Sequence, residues 1–427
     1  MEAISSYTLI IVTSVILILS FFFGEVARKT NIPAVLMLIV LGIGLQFALE
    51  STMGPKPNFL PVLKVLGTVG LIMIVLEAAL ELKLMPGKYL PIAKALLIAL
   101  VSLVASAYVA ALILHYFVPG MDMTAAWIYA TPLSILSSAI IIPSVTALRE
   151  DKREFHIYES TFSDILGIMM FYFLTGNLDA AEHGSGLVGF SGNLLLTIVI
   201  ALVASYLIIL IFQNIRSHTK LFLLIAVLLL LYAVGKKMHL SSLLIILIFG
   251  LIIANMKLFF RGRLGQWLHL ERASLMYEGL HVVTMESAFV VRTFFFVIFG
   301  LEIALSSIAS WEVLLISMAI VASIYLIRYL VLRVFIGRDI FPQLYIAPRG
   351  LITILLFYDI PEQVIVPGFE TGILLDVIIG TSLIMTFAMI LDARRTNKAV
   401  VKAREEPVGY QKWKAPSVLE YNDEEEH

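Results

Sequence analysis

Apolar stretches long enough to cross a lipid bilayer recur along nearly the whole chain, and this repetition restricts the fold more than any other feature. A helix needs about 20 predominantly apolar residues to span the hydrocarbon core. We predict thirteen spans, at residues 4–24, 33–49, 62–82, 89–118, 125–148, 156–175, 188–212, 219–235, 241–256, 284–306, 310–334, 343–359 and 370–392. Because helices satisfy their own backbone hydrogen bonds in lipid, the pattern predicts an all-α polytopic membrane protein with about 13 transmembrane helices.

The composition agrees with this fold class and excludes several functions. Of the 427 residues, 60% are hydrophobic and 14% are charged, whereas a soluble domain is about half apolar and about a quarter charged. The net charge of −1 offers no basic surface to nucleic acid, whose binding requires neutralised phosphates. The absence of cysteine excludes a disulfide framework, a thiolate metal site and a cysteine nucleophile. We therefore expect membrane lipid around the chain and no nucleic-acid partner.

Positive charges are unevenly divided between the loops on the two sides of the predicted membrane domain. The loops on the side of the C-terminus carry sixteen lysines and arginines, and the opposite loops carry only Lys56, Lys64, Lys236 and Lys237. Cytoplasmic loops carry an excess of positive charge. The first apolar run lacks a basic leader and an Ala-x-Ala site, so we interpret it as a retained span. The sequence thus predicts a protein of the cell (inner) membrane with its N-terminus outside and its C-terminus in the cytoplasm.

The order of the spans predicts two structural halves. Six spans precede residue 180 and five begin at or after residue 241, with two more between them, a layout typical of inverted-repeat transporters. Residues 1–392 form the predicted transmembrane domain, and the polar residues 393–427 form a short cytoplasmic tail. Segment 257–283 mixes large apolar residues with arginines, which favours an amphipathic helix on the inner leaflet between the halves.

Ionisable side chains inside spans are costly and mark functional or paired groups. The candidates are Glu77, Glu81, Glu159, Asp164, Glu286, Arg292, Glu302, Arg328 and Arg349. Four of these lie near predicted span ends, where snorkelling to the interface is the simplest interpretation; they are Glu81, Glu286, Arg292 and Glu302.

Asp164 is the candidate that best fits an exchangeable ion site. It lies in the first half of the sixth predicted span, and no cationic residue lies within a helical turn of it. Removal from water disfavours the ionised form of a carboxylate, so protons and a metal cation would compete for it near neutral pH. The alternative is a permanently protonated aspartic acid that is bonded to a neighbouring helix.

Glu159 and Arg328 form the best candidate for a buried ion pair. Glu159 precedes Asp164 by five residues, which places it about 140° around the helix and on a different face. Arg328 lies deep in an otherwise apolar run, where an unpaired guanidinium would be costly. Pairing would compensate both charges, so we predict a structural role for the pair.

Two spans contain signals for an interruption of the helix. In the fifth span, Pro132 and Pro143 flank a hydroxyl-rich stretch that contains Ser134, Ser137 and Ser138 and follows Thr131. Irregular backbone at membrane depth is tolerated where it lines a cavity, and its freed groups and hydroxyls can ligate a cation. The alternative is an ordinary proline kink with back-bonded serines.

The twelfth predicted span carries the second interruption signal, Pro348-Arg349-Gly350. A positive charge at this point would balance the dipole at the C-terminus of a broken helix, which is the role we predict for Arg349. Interruptions in matching places of the two halves favour two broken crossover helices in an inverted repeat.

These residues resemble the monovalent cation/proton antiporter superfamily, and most closely the NhaP-type sodium/proton antiporters. The step from Glu159 to Ser163-Asp164 is similar to the Glu-Ser-x-x-Asn-Asp segment of the superfamily, and Arg328 falls where its paired arginine lies. The run LEAALE at 76–81 resembles the Phe-Glu-Gly-Gly-Leu-Glu stretch of the third span, which makes Glu77 a secondary candidate. The resemblance implies thirteen spans, a homodimer, and an elevator-like movement of a six-helix core against a dimerisation domain.

Two positions depart from the NhaP pattern. Ser163 replaces the asparagine before the aspartate, and no acidic residue lies between Thr131 and Ser138 to match a Thr-Asp-Pro motif. The run LSSA at 136–139 looks more like potassium-efflux relatives. Both Na⁺ and K⁺ therefore remain candidate ions.

The residues and the resemblance together predict a secondary active transporter that exchanges Na⁺ or K⁺ for H⁺ by alternating access and serves pH homeostasis. Asp164 would be the shared site for cation and proton, with oxygens from Ser163, Thr131, Ser134, Ser137 and Ser138. One transporting carboxylate predicts electroneutral exchange. An organic-anion symporter, and a non-exchanging sensor or channel on the same scaffold, remain alternatives. We expect neither an enzyme nor a resident cofactor, since the chain lacks a Gly-x-Gly-Asp protease motif and a His-Glu-x-x-His zinc motif.

Overall fold

A computed structural model describes residues 6–30, 33–53, 60–84, 87–180, 186–215, 220–238, 242–260, 267, 269–302 and 310–405. Its α-helices in chain order are α1 (Ser6–Thr30), α2 (Ala34–Met53), α3 (Leu60–Glu81), α4 (Tyr89–Phe117), α5 (Met123–Ser134), α6 (Ser138–Ser144), α7 (Glu150–Ala180), α8 (Gly186–Phe212), α9 (Lys220–Lys237), α10 (Ser242–Ala254), α11 (Met256–Phe259), α12 (Leu270–Glu302), α13 (Trp311–Phe335), α14 (Leu351–Tyr358) and α15 (Gly372–Glu405). All regular structure in these residues is helical, which confirms the predicted all-α class.

Many of these helices have the length and composition of membrane spans. Seven helical stretches qualify fully, namely Ile10–Ala27, Tyr89–Phe117, Met123–Ser144, Leu195–Phe212, Leu270–Glu302, Trp311–Phe335 and Gly372–Asp392. Ala34–Leu49 and Ser242–Ala254 are shorter apolar helices. The total of thirteen spans stays a prediction. Lys56, the predicted span boundaries at residues 4, 241 and 306, and residues 261–266 and 406–427 lie outside the described residues.

The helices pack into two bundles. The core bundle consists of α4–α7 and α13–α15, in which α4 packs against α5, α7 and α13, and α13 packs against α15. The scaffold bundle consists of α1–α3, α8–α10 and α12, in which α12 packs against α2 and α3, and α10 packs against α3, α8 and α9. The bundles meet mainly where α7 of the core bundle contacts α3, α8 and α10 of the scaffold bundle and where α14 contacts α3.

The predicted interfacial helix at 257–283 is wrong for its second half. The structure continues α12 without a break from Leu270 to Glu302, so residues 270–283 belong to a long packed helix. Ala273, Met276 and Leu280 are fully buried, and burial of that face against other helices stabilises it more than contact with a leaflet surface. The C-terminal helix α15 likewise extends past the predicted span end at residue 392 to Glu405.

The fifth predicted span is interrupted in the structure. Helix α5 ends at Ser134, residues 135–137 are extended, and α6 begins at Ser138. Pro132 lies inside α5 and Pro143 inside α6, where each removes one backbone donor. Three residues thus separate the C-terminal end of α5 from the N-terminal end of α6, within a stretch in which most residues are buried.

The twelfth predicted span is irregular over a longer stretch than we predicted. Residues 341–345 form turns, residues 346–350 have no regular secondary structure, and only Leu351–Tyr358 is helical. The helical first half that the sequence suggested is thus replaced by turns. Pro348 explains part of this difference because a proline disfavours helical geometry in the residue before it.

The irregular segment 346–350 lies in direct contact with the extended segment 135–137 at Gly350. A Cβ atom at this position would lie 2.5 Å from the Ser137 hydroxyl oxygen and 2.9 Å from Ile140 Cδ1. Only glycine therefore lets the second segment approach the first this closely.

We expect Gly350→Ala to lower the free energy of unfolding by about 1–3 kcal/mol, since it overpacks the crossing. Gly44→Ala is the matched control, because Gly44 lies inside α2 with nothing within 4 Å of a built Cβ. Thermal unfolding of the purified variants in one detergent measures both effects. Equal melting temperatures for the two variants would contradict the tight crossing.

Candidate functional site

The backbone amides between α5 and α6 are satisfied by two side chains of α7 and by one carbonyl of the segment before α14. The Leu136 N–H donates to the Ser163 hydroxyl at 3.0 Å, and the Ser137 N–H donates to the Pro348 carbonyl at 3.0 Å. The Ser138 N–H donates to Asp164 Oδ2 at 3.3 Å. Each bond compensates a donor that would otherwise be unpaired at membrane depth.

Asp164 is a residue of α7 whose carboxylate lies beside the N-terminal end of α6. It is only 3% exposed. One carboxylate oxygen accepts the Ser138 amide, while the other, Oδ1, is buried without a hydrogen-bond partner. Buried polar atoms are nearly always paired, so an unpaired carboxylate oxygen marks a site where a proton or a ligand fits. Gly167 lies about one turn after Asp164 in α7. Because it has no side chain, the side chain of Ile135 packs directly against its backbone.

The structure distributes the predicted hydroxyl ligands around this interruption. Ser163 and Ser138 lie in direct contact with the extended segment or with the carboxylate, and Ser137 lies against Gly350. Thr131 and Ser134 donate their hydroxyls to the carbonyls one turn earlier in α5, at 2.8 Å and 2.9 Å. That back-bonding uses the donor and leaves the oxygen lone pairs available.

Arg349 compensates the carbonyl end of α5. Its Nε donates to the Leu133 carbonyl at 2.8 Å, and its Nη1 donates to the Ala347 carbonyl at 3.2 Å. Its backbone N–H donates to the Thr381 hydroxyl of α15 at 3.1 Å. A guanidinium at the last carbonyls of a helix interacts favourably with the helix dipole. Sequence reasoning missed Thr381, since an isolated threonine in an apolar span carries no signal.

Glu159 and Arg328 meet in a two-pronged ion pair. Nη1 and Nη2 of Arg328 donate to Oε1 and Oε2 of Glu159 at 2.7 Å and 2.9 Å. Nε and Nη2 also donate to the Gln343 carbonyl at 3.1 Å and 3.0 Å. Both side chains are almost fully buried. The pair connects α7 to α13, and the bonds to Gln343 connect both helices to the turns at 341–345.

Two further ionisable residues with buried polar atoms were missed by sequence reasoning. His156 is fully buried, and its Nδ1 lies 3.4 Å from Glu159 Oε2; its position three residues before Glu159 on one helix face was the available signal. Asp376, an acid inside the last predicted span, was omitted from the intramembrane candidates. One of its carboxylate oxygens is buried without a hydrogen-bond partner.

The secondary candidate Glu77 belongs to the scaffold bundle. Its Oε1 accepts a hydrogen bond from Arg292 Nη2 at 3.1 Å, which joins α3 to α12. Snorkelling is therefore the wrong interpretation for Arg292, which forms an ion pair with Glu77. The helix α12 starts fourteen residues before the predicted span, so Arg292 lies well inside it and not near its start. Among the described contacts, none links Glu77 to Asp164.

The arrangement suits a cargo cation that binds one carboxylate and neutral oxygens. A small cavity of the core bundle, lined in part by Ser106, Ser134, Ser163 and Arg349, lies beside the interruption. Within the part of the chain that the structure describes, no three acidic or histidine side chains cluster to hold a metal ion. Carboxylate and hydroxyl oxygens are the ligands that hard cations prefer, and a single carboxylate can exchange one proton for one such charge.

Comparisons with known proteins agree with the geometry. The family model described as "Sodium/hydrogen exchanger, transmembrane" matches residues 13–391. Two solved structures of the sodium proton antiporter MjNhaP1 from Methanocaldococcus jannaschii are similar in fold, each with a TM-score of 0.65. The first, at pH 8, is 20% identical and covers 90% of this chain and 98% of that one. The second, from electron microscopy, is 18% identical and covers 95% of this chain and 99% of that one. No curated protein matches the chain.

We expect Arg328→Gln to destabilise the protein by about 3–5 kcal/mol, because it leaves the Glu159 carboxylate buried without a cation. The double variant Glu159→Gln/Arg328→Gln removes both charges and should lose clearly less stability. Thermal unfolding in detergent gives the comparison, with Arg149→Gln as the control for an exposed pair worth less than about 1 kcal/mol. If the stability loss of the double variant equalled the sum of the losses of Glu159→Gln and Arg328→Gln, the result would contradict the pairing.

Proposed function

Since the chain belongs to the sodium/hydrogen exchanger family, we propose that it exchanges Na⁺ or K⁺ for H⁺ across the cell membrane at Asp164. Membership in this family makes the chain a multi-pass cation/proton antiporter, and we propose that it has no enzymatic activity. The ion, the site and the way in which the site changes sides are our proposals. We further propose that the protein works as a homodimer in lipid, with its C-terminus in the cytoplasm.

The observation that carries the proposal is the unpaired Oδ1 atom of Asp164 beside an interrupted helix. The Ser138 amide at the start of α6 favours a negative charge on the carboxylate, and burial disfavours it. These opposing effects leave the ionised form in need of a partner. A proton and a monovalent cation both supply that partner, so one replaces the other.

The neutral oxygens around the interruption complete the proposed cation site. Ser163, Ser138 and Ser137 lie at the crossing itself, and Thr131 and Ser134 keep free lone pairs one or two turns away in α5. These oxygens replace water ligands as the cation loses its hydration shell. Among the described residues, Asp164 is the only acid that is hydrogen-bonded to the interruption, which favours a cation with a single charge, and thus Na⁺ or K⁺ over a divalent ion.

Exchange requires that Asp164 face the two sides of the membrane in turn. In this structure the carboxylate is closed off, and the core bundle that holds it contacts the scaffold bundle over a limited face. We propose that the core bundle moves as a unit, with the Glu159–Arg328 pair and Arg349 maintaining its internal geometry. One proton then crosses for each cation, and the cycle carries no net charge.

We expect Asp164→Asn to abolish cation-induced proton movement, since an amide binds neither a proton nor a cation in exchange. Proton release from proteoliposomes on addition of Na⁺, K⁺ or Li⁺ measures the activity and identifies the ion. Asp376→Asn is the matched control, because Asp376 is also an acid inside a span of the core bundle and should keep the exchange. Loss of activity in Asp376→Asn but not in Asp164→Asn would assign the site to the other carboxylate.

Competition for one carboxylate also determines how the half-saturating cation concentration changes with pH. As the pH falls, protons occupy Asp164 and the half-saturating cation concentration rises, by about tenfold for each pH unit at acidic pH. As the pH rises, this concentration falls and then levels off when the unliganded carboxylate is ionised. Initial exchange rates over a series of cation concentrations and pH values test this. A half-saturating concentration that does not change with pH, or an exchange current under an applied voltage, would contradict electroneutral competition.

A further inference from the structure

At the end of the bundles where α7 terminates, a polar cluster joins the core bundle to the scaffold bundle. Asp359, directly after α14, accepts hydrogen bonds from the Tyr172 hydroxyl of α7 at 2.8 Å and from Lys236 Nζ of α9 at 3.2 Å. Tyr172 and Asp359 belong to the core bundle, whereas Lys236 belongs to the scaffold bundle. Among the salt bridges of the described residues, Lys236–Asp359 is the only one that connects the two bundles.

Tyr172 of this cluster also lines a cavity that lies between the two bundles. This apolar cavity is lined by Ile165, Ile168 and Tyr172 of α7, and on the scaffold side by Val75 and Leu243, among others. Ile165 adjoins Asp164 in the chain, and Tyr172 lies eight residues and about 12 Å further along the same helix. An ion that leaves Asp164 toward this end therefore meets apolar side chains first and the polar cluster last.

The geometry points to Tyr172, Lys236 and Asp359 as an outer latch that holds the exchange site closed toward the outside and has to open in every transport cycle. This inference rests on the proposed function and orientation, in which the end of α7 and the loop with Lys236 face outward. The latch residues gate access and do not bind the transported ion at Asp164.

The strength of the latch suits repeated opening. The side chains of Lys236 and Asp359 are 53% and 35% exposed, and an ion pair that is open to water contributes little net free energy. Partial burial lowers the pKa of Lys236, but the nearby Asp359 and Tyr232 raise it more, so its pKa lies above the usual value. The lysine therefore stays charged through the pH range of the transport assays. Tyr172 adds a hydrogen bond from within the core bundle, which fixes the carboxylate toward α9.

The opposite end of the bundles has a different contact. There the Tyr158 hydroxyl of α7 donates to the Lys83 carbonyl after α3 at 3.1 Å, and Leu82, Tyr158 and Phe162 pack together. An ionic latch thus lies at one end and a neutral contact at the other.

A covalent bridge across the latch tests this directly, and the chain has no native cysteine to interfere. Lys236→Cys/Asp359→Cys is reconstituted and treated with a short bis-methanethiosulfonate reagent, which links two thiols and is released by a reductant. We expect cation/proton exchange to fall by about tenfold or more after linking and to return after reduction, since a step that gates turnover is blocked. The matched control is Lys152→Cys/Asp339→Cys, which replaces a 3.0 Å ion pair within the core bundle. Its linking should leave the exchange rate unchanged.

The outcomes separate the latch from the proposed function. Exchange that persists in the linked Lys236→Cys/Asp359→Cys protein overturns the latch, whereas a lack of exchange in the wild-type protein overturns the function. If the cysteine pair is inactive before linking, the charge swap Lys236→Asp/Asp359→Lys replaces it. The swap should exchange several-fold faster than Lys236→Asp alone, and equal rates overturn the latch.

Discussion

The structure depends on the need to satisfy backbone groups where one segment interrupts a helix between α5 and α6 and a second irregular segment precedes α14 inside a membrane domain. The amide of Leu136 finds the Ser163 hydroxyl, and the amide of Ser138 finds the Asp164 carboxylate. At the other helix end, Arg349 covers the Leu133 carbonyl. Each unsatisfied backbone group of this kind costs about 1–3 kcal/mol or more when it is removed from water. The site and the fold are therefore one arrangement, because the proposed ion-binding residues are also the partners that allow the interruption.

Much of the fold follows from the sequence, because apolar runs of sufficient length have few alternatives to a helix. The order of the helices and the interruption between Ser134 and Ser138 were predictable from length, proline positions and hydroxyl content. The start of α12 at Leu270 was not, since its first turns mix charged and apolar residues as an interfacial helix does. The burial of Ala273 against other helices shows that these turns begin a packed helix and not an interfacial one. Such burial depends on tertiary contacts, which the local sequence does not reveal. The turns at 341–345 likewise depend on what packs around them.

The sequence also separates the charges of the core bundle, although less completely. The five-residue step between Glu159 and Asp164 places the two acids on different faces, and the structure gives Glu159 a guanidinium and leaves Asp164 without a cation. His156 and Asp376 show the limit of such reasoning. A histidine at a helix start and an acid near a span end are typical of surfaces, and only the packing of other helices over them shows that they are partly or fully buried.

The most direct test of competition at Asp164 is proton release from the purified protein in a weakly buffered detergent solution when Na⁺ or K⁺ is added. If one carboxylate is shared, cation binding releases up to about one proton per chain at acidic pH, and the release declines as the pH rises. Choline chloride should release none, and neither should the Asp164→Asn protein. Cation binding that calorimetry detects without proton release at any pH from about 6 to about 9 would contradict the shared site, as would equal release from Asp164→Asn.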